Sequence, residues 1–194
     1  MKLIFLAFAL ALLAGCTTHR YSLHPITRGE SMRAGASALV ALPEDGRFGQ
    51  ISYSGTGRQV ARSVATALAK HCPRVDIMQN TNAPLESARA GGFDYLITPR
   101  IIHWEDRATE WSGKPDRIEI ELRTQAVKDG ATVNLGSVEG RTGTFALTSS
   151  APQDMLLDPI NSYVAWLFSP PSTPQPLVAP PSAPRTESPK GARR

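Results

Sequence analysis

The residues best equipped for chemistry fall between Ile101 and Ile120, where His103, Glu105, Asp106, Glu110 and Asp116 stand among Arg107, Lys114 and Arg117. Histidine and carboxylates together can ligate a metal or move protons. A metal centre needs ligands that converge on one point, and the segment has neither a His-Glu-x-x-His run nor spaced cysteines. A glycosidase needs two carboxylates flanking a sugar; Glu105 and Glu110 could be placed so, but nothing in the sequence fixes their separation. The interleaved bases fit a third reading, a charge-paired connection whose Trp104 and Trp111 cover the end of a sheet or meet a partner. Trp and Arg are enriched among binding anchors. The expectation is a contact with a protein or glycan through Trp104, Glu105, Asp106, Arg107, Glu110 and Trp111, with no catalytic residue, metal ligand or cofactor assigned. The alternative is a small glycan-processing enzyme using Glu105, Asp106 or Glu110.

Other nucleophile and phosphate motifs fail on their spacing. Gly55-Thr56-Gly57-Arg58 precedes a helix but lacks the Gly-Lys-Ser/Thr of a P-loop, and Val60 stands where a dinucleotide fingerprint wants glycine. No Gly-x-Ser-x-Gly elbow is present, and Cys72 has no evident histidine partner, so nucleophilic catalysis finds no support. Cys72 closes an amphipathic helix before Pro73 and is expected to be buried.

The elements that must position the segment can be read from periodicity. Ser37 to Leu42 is an apolar run closed by Pro43, expected as a buried strand, and a glycine-rich loop leads on to a helix over about Arg58–His71. Val60, Val64 and Leu68 give that helix one apolar stripe, with Ser54 or Thr56 as candidate cap. Arg74 to Met78 reads as a second strand, Pro84 to Ala90 as a short helix stopped by Gly91-Gly92, and Phe93 to about Trp104 as a third strand. Pro99 within it suits an edge or a bulge. Arg117 to Val127 alternates apolar with polar, Asp129-Gly130 signals a hairpin, and Ala131 to Val138 or beyond returns as the fifth strand. A last helix opens at Asp158-Pro159, with the aspartate as cap. The order β-α-β-α-β-β-β-α argues for an α/β fold: a single-domain mixed sheet with helices mainly on one face.

The two ends read as address and appendage. Lys2, an apolar run from Leu3 to Leu13 and then Leu13-Ala14-Gly15-Cys16 have the layout of a signal peptide. Leu13-Ala14-Gly15-Cys16 resembles the lipobox of bacterial lipoproteins, in which the cysteine is acylated and becomes the mature N-terminus. That implies Cys16 as the lipidation site and a palmitate-bearing anchor in the membrane. Thr17 rather than aspartate after the cysteine implies, by the same resemblance, the outer membrane of a Gram-negative cell, with the body facing the periplasm. The expected partner is then an envelope protein or cell-wall glycan, and the alternative a small periplasmic cell-wall or glycan-processing enzyme. Residues 1–15 are thus expected to be signal peptide, 16–33 lipidated terminus and tether, 34–168 the α/β periplasmic domain, and 169–194 a disordered proline-rich tail. Eight of the 16 prolines lie in that tail. The formal charge of +4 belongs to the ends, because residues 17–168 carry 16 basic and 16 acidic side chains. A neutral body leaves no basic stripe for nucleic acid.

Two resemblances bear on the body. Gly91-Gly92 followed by Phe93-Asp94-Tyr95-Leu96-Ile97 looks like a step found in small periplasmic lipoprotein domains, among them the curli-secretion lipoprotein and the N-terminal domain of the Tol-system propeller protein. Ile102-His103-Trp104-Glu105-Asp106-Arg107-Ala108-Thr109-Glu110-Trp111-Ser112-Gly113 resembles a Gram-negative lipoprotein family classed as a domain of unknown function. Pro43 to Gly49, Tyr53 to Gly57 and Pro152-Gln153-Asp154 fit that family too. The resemblance spans about residues 20–168. It implies fold and location, and brings no activity with it.

Overall fold

The computed structural model describes residues 20–78, 83–106, 115–142 and 152–170. Cys16, expected as the lipidation site, and residues 171–194 of the proline-rich tail lie outside the described residues, as does the 107–114 connection. Six strands form one mixed sheet and two more a small hairpin. In chain order they are β1 (Arg20–Arg28), β2 (Ala38–Ala41), β3 (Arg47–Phe48), β4 (Ile51–Ser52), β5 (Val75–Met78), β6 (Tyr95–Glu105), β7 (Arg117–Ala126) and β8 (Thr132–Arg141). The helices are α1 (Thr56–Leu68), α2 (Pro84–Ala90) and α3 (Leu157–Phe168), the last preceded by a 3₁₀ turn at Pro152–Met155. The succession expected from the sequence is present, with β1 and the β3–β4 hairpin added to it.

The large sheet runs β1-β8-β7-β6-β2-β5. β2 lies parallel to both β5 and β6, while the other neighbours are antiparallel. From β2 the chain crosses through α1 to β5 on one side. From β5 it crosses through α2, past β2, to β6 on the other. Right-handed crossovers in opposite directions put their helices on opposite faces. Accordingly, Val40, Ile97, Ile118, Ile120, Leu122 and Val138 pack beneath α1 and α3, whereas Leu39, Ala41, Leu96 and Phe93 form a smaller core with Ala88 of α2. Tyr163 of α3 is buried over Gly136; its hydroxyl donates to the Leu122 carbonyl at 2.9 Å and lies 3.2 Å from the Thr124 hydroxyl. A buried phenol needs such partners.

Three local expectations are corrected. The segment taken as tether contains β1, which pairs with β8 from Arg20 to Arg28. Only Leu23 of this edge strand packs on the core, and the register shifts at Pro25, so its alternation is too weak to stand out. Neither Ser54 nor Thr56 caps α1. The helix starts from Gly55, in the left-handed region at φ 84°, and Asp45 supplies its two oxygens to the Gly55 and Gly57 amides at 3.0 and 2.9 Å. A cap delivered from ten residues upstream has no local signature. Asp158 sits inside the first turn of α3 and makes no capping bond, because the 3₁₀ turn begins the helix earlier. Cys72 is buried as expected, and burial pushes its thiol up from the ordinary value, with Asp94 adding to the effect.

Candidate functional site on the open sheet face

β6 has a register shift between Ile101 and His103. Before it, Tyr95, Ile97 and Ile101 face the main core; after it, Trp104 does, opposite Ile118 of β7. One extra residue in a strand reverses which side chains face inward. Ile102 is the bulged residue and is exposed. Trp104 is 1% exposed, and Gly46 of the glycine loop lies so close to its Cβ that a methyl group there would clash. Trp104 is therefore a core residue, and its assignment as a partner contact is overturned by burial.

The same bulge turns His103 and Glu105 onto the opposite face, where the β3–β4 hairpin partly covers them. There the imidazole Nε2 is 3.2 Å from the Glu105 carboxylate, and the His103 ring meets Phe48 of β3 edge to face at 5.3 Å. Glu105 is itself 6% exposed. Asp106 is exposed, and its backbone is held to the Tyr53 hydroxyl at 3.4 Å. Arg107, Glu110 and Trp111 lie outside the described residues.

Cross-strand register extends this face over four strands. Glu105, Arg117, Arg141 and Arg20 form one row, and His103, Glu119, Glu139 and Ser22 the next. Arg100, Glu121, Ser137 and His24 form a third. Arg117 donates to Glu119 and to Glu139, each at 2.9 Å, and Arg141 donates to the same Glu139 oxygen at 2.6 Å. Burial works to raise the Glu139 carboxyl, but the hydrogen bond from Arg141 and the charges of Arg117 and Arg141 outweigh it and hold the group below its usual range. Arg100 reaches Glu121 more loosely, at 3.4 Å. Glu139 and Arg141 were not singled out from the sequence. The signal was there in β8, where Asn134, Gly136, Val138 and Gly140 alternate with Leu135, Ser137, Glu139 and Arg141.

The arrangement is a lattice of short charge-assisted hydrogen bonds on a sheet surface. Such a surface presents fixed donors and acceptors to a partner and sets the register of a contact more than its strength. Among the described residues, no three histidine, cysteine, aspartate or glutamate side chains come together to hold a metal ion.

The fold is similar to that of PelC from Paraburkholderia phytofirmans, described as a dodecamer, with a TM-score of 0.60 and 17% identity over 78% of this chain and 99% of that one. A lipoprotein from Neisseria meningitidis is a weaker match, at TM-score 0.45 and 15% identity over 67% of this chain and 98% of that one. A Xanthomonas campestris protein of another family, DUF330, gives TM-score 0.45 and 15% identity over 74% and 92%. At these identities the likeness is one of fold. None of the curated proteins compared with the chain matches it. Residues 30–167 match the model of a domain of unknown function, DUF4823, and the chain belongs to that family.

Proposed function

We propose that the chain is a lipoprotein of the Gram-negative outer membrane, facing the periplasm and held by acyl chains on Cys16, whose α/β domain is a non-enzymatic binding module. Its partner is an envelope protein or cell-wall glycan. The observation that carries this reading is the Arg117–Glu119–Glu139–Arg141 lattice, on the face opposite α1 and α3 and beyond the strands that α2 covers. Polar sheet faces are common, but one with its arginines already locked onto carboxylates is preorganised, and preorganisation reduces what binding must spend on ordering side chains. Asp106 borders this face, and Arg107, Glu110 and Trp111 follow it in the sequence. The test is crosslinking in intact cells with wild type and Arg117→Glu, followed by identification of the crosslinked species. The variant should lose the partner while keeping its far-ultraviolet circular dichroism. A partner retained by Arg117→Glu would move the contact elsewhere, and activity on peptidoglycan that depends on Glu105 would replace this reading with the enzymatic one.

A second reading, assembly with copies of itself, is favoured by the likeness to a dodecameric protein over nearly all of that protein's chain. Mass photometry of the full chain in detergent decides it: a single monomer mass at every concentration would sink it.

A further inference from the structure

A second place on the domain is shaped for a ligand, bordering the charged face at Arg100. The strands β5, β2 and β6 are parallel; one crossover leaves β2 through α1 and the next leaves the neighbouring β5 through α2 in the opposite direction, with the two helices on opposite faces. In open α/β sheets the crevice outside the carboxyl ends of such strands is where ligands bind, because the connecting loops diverge there. A cleft of about 580 Å³ occupies that position here. Its size falls within the roughly 300–1,000 Å³ usual for small-ligand sites. Ala41, Met78 and Ile101 give it apolar walls, and Glu44, Arg47 and Arg100 stand at its rim.

One wall is the stretch of β6 that runs on past its pairing with β2. β2 pairs with β6 only as far as Ile97, while β6 runs on to Glu105. The Tyr95 amide donates to Ser37 on the β2 side. Backbone direction alternates along a strand, so Ile97, Pro99 and Ile101 turn the same way. Beyond β2 this leaves the Pro99 carbonyl and the Ile101 amide and carbonyl facing the cleft, and the imide nitrogen of Pro99 falls where no ladder needs a donor. The opposite wall is rigid. Asp45 clamps Gly55 and Gly57, the Gly46 amide donates to Thr56, and Tyr53 donates to Gly46.

We infer that this cleft binds the C-terminal end of an extended peptide, its backbone pairing with the free edge of β6 at Pro99–Ile101 and its terminal carboxylate held by Arg47 and Arg100. Arg47 has no ion-pair partner among the described residues, and Arg100 has only its loose contact with Glu121. Both of these residues are exposed, so both are free to turn onto a ligand. The Asp45 carboxylate is held by the Gly55 and Gly57 amides, whose dipoles offset part of its charge. Glu44 on the same rim disfavours a bare polyanion but accepts a hydrogen bond from a peptide amide. A fatty acid would offer the carboxylate yet leave the β6 backbone unpaired, whereas a peptide satisfies both. Strand addition of this kind draws affinity from main-chain bonds and selectivity from neighbouring side-chain pockets.

The experiment titrates the full chain in detergent with three probes: a pentapeptide ending in leucine with a free carboxylate, the same peptide as its C-terminal amide, and decanoate. Binding is followed by calorimetry and by amide chemical shifts. The free acid should bind and shift the amides of Ala41, Met78 and Ile101. The amide form, Arg47→Ala and Arg100→Ala should each weaken binding by about tenfold, the usual scale for losing one charge-assisted bond, with melting temperatures unchanged. No binding at millimolar peptide, equal binding of the amide form, or stronger binding of decanoate at the same amides would each overturn the inference. Arg100 also stands in a row of the charged sheet face beside Glu121, so Arg47→Ala and the C-terminal amide, which leave that face untouched, are the arms that test the cleft alone.

Discussion

Trp104 shows how one side chain can change the meaning of a segment. Placed between His103 and Glu105 it looks like a binding anchor, but the Ile102 bulge turns it inward against Ile118 and under Gly46. Trp104→Ala should cost about 3–5 kcal/mol in urea unfolding, the scale for emptying a buried aromatic site. A loss below 1 kcal/mol would return the residue to the surface. Asp94 is a second informative residue. The Ser37 amide at 2.8 Å, then the Ser37 hydroxyl at 2.8 Å, hold its carboxyl below the usual carboxylate range, with Arg33 helping against a smaller effect of burial. A depressed folded value stabilises the native state above the unfolded value, near 3.9, and that stability is lost as pH falls through the lower folded value. The stability gap between wild type and Asp94→Asn should therefore be full at pH 7 and close below about pH 4. A gap unchanged between pH 7 and pH 3 would show that the carboxylate charge contributes nothing.

At the scale of elements, the legible pieces were those whose pattern is local. β7 alternates cleanly because one face is buried and the other solvated, and the β7–β8 hairpin turns at Gly130, left-handed at φ 76°, where Asp129-Gly130 announced it. The α1 stripe of Val60, Val64 and Leu68 is buried as the spacing requires. β1 was missed because an edge strand with a bulge and one packed side chain has little period to read. Its role can be measured. A chain beginning at residue 29 should melt at least about 5 °C below one beginning at residue 17, since each kcal/mol lost lowers the midpoint by several degrees. Equal melting temperatures would make residues 20–28 a tether after all.

The whole molecule joins a charge-neutral body to basic ends. In the proposed reading the membrane anchor is the acyl chains on Cys16, each buried methylene of which contributes about 0.8 kcal/mol. Cells fed a palmitate analogue should label the wild-type chain, and Cys16→Ser should abolish the label and release the protein into the soluble periplasmic fraction. Unlabelled wild type would remove the anchor from the account. The fold divides the domain's surface into two working regions. Strand order leaves β6–β7–β8–β1 open on one face, and the early end of β2 leaves a cleft at the carboxyl ends of the parallel strands.

The fold class, the strand–helix succession and the neutrality of the body follow from the sequence alone, because periodicity, turn residues and charge are local or additive quantities. The tertiary structure decided which side of β6 each residue faces. A one-residue bulge costs the sequence no visible mark, yet it moved Trp104 into the core and set His103 and Glu105 beside Glu119 and Arg117 from another strand. Glu139 and Arg141 joined that lattice through pairing across β8, and Asp45 became a helix cap across a ten-residue loop. These are contacts between distant parts of the chain, which register and packing create and no local pattern encodes.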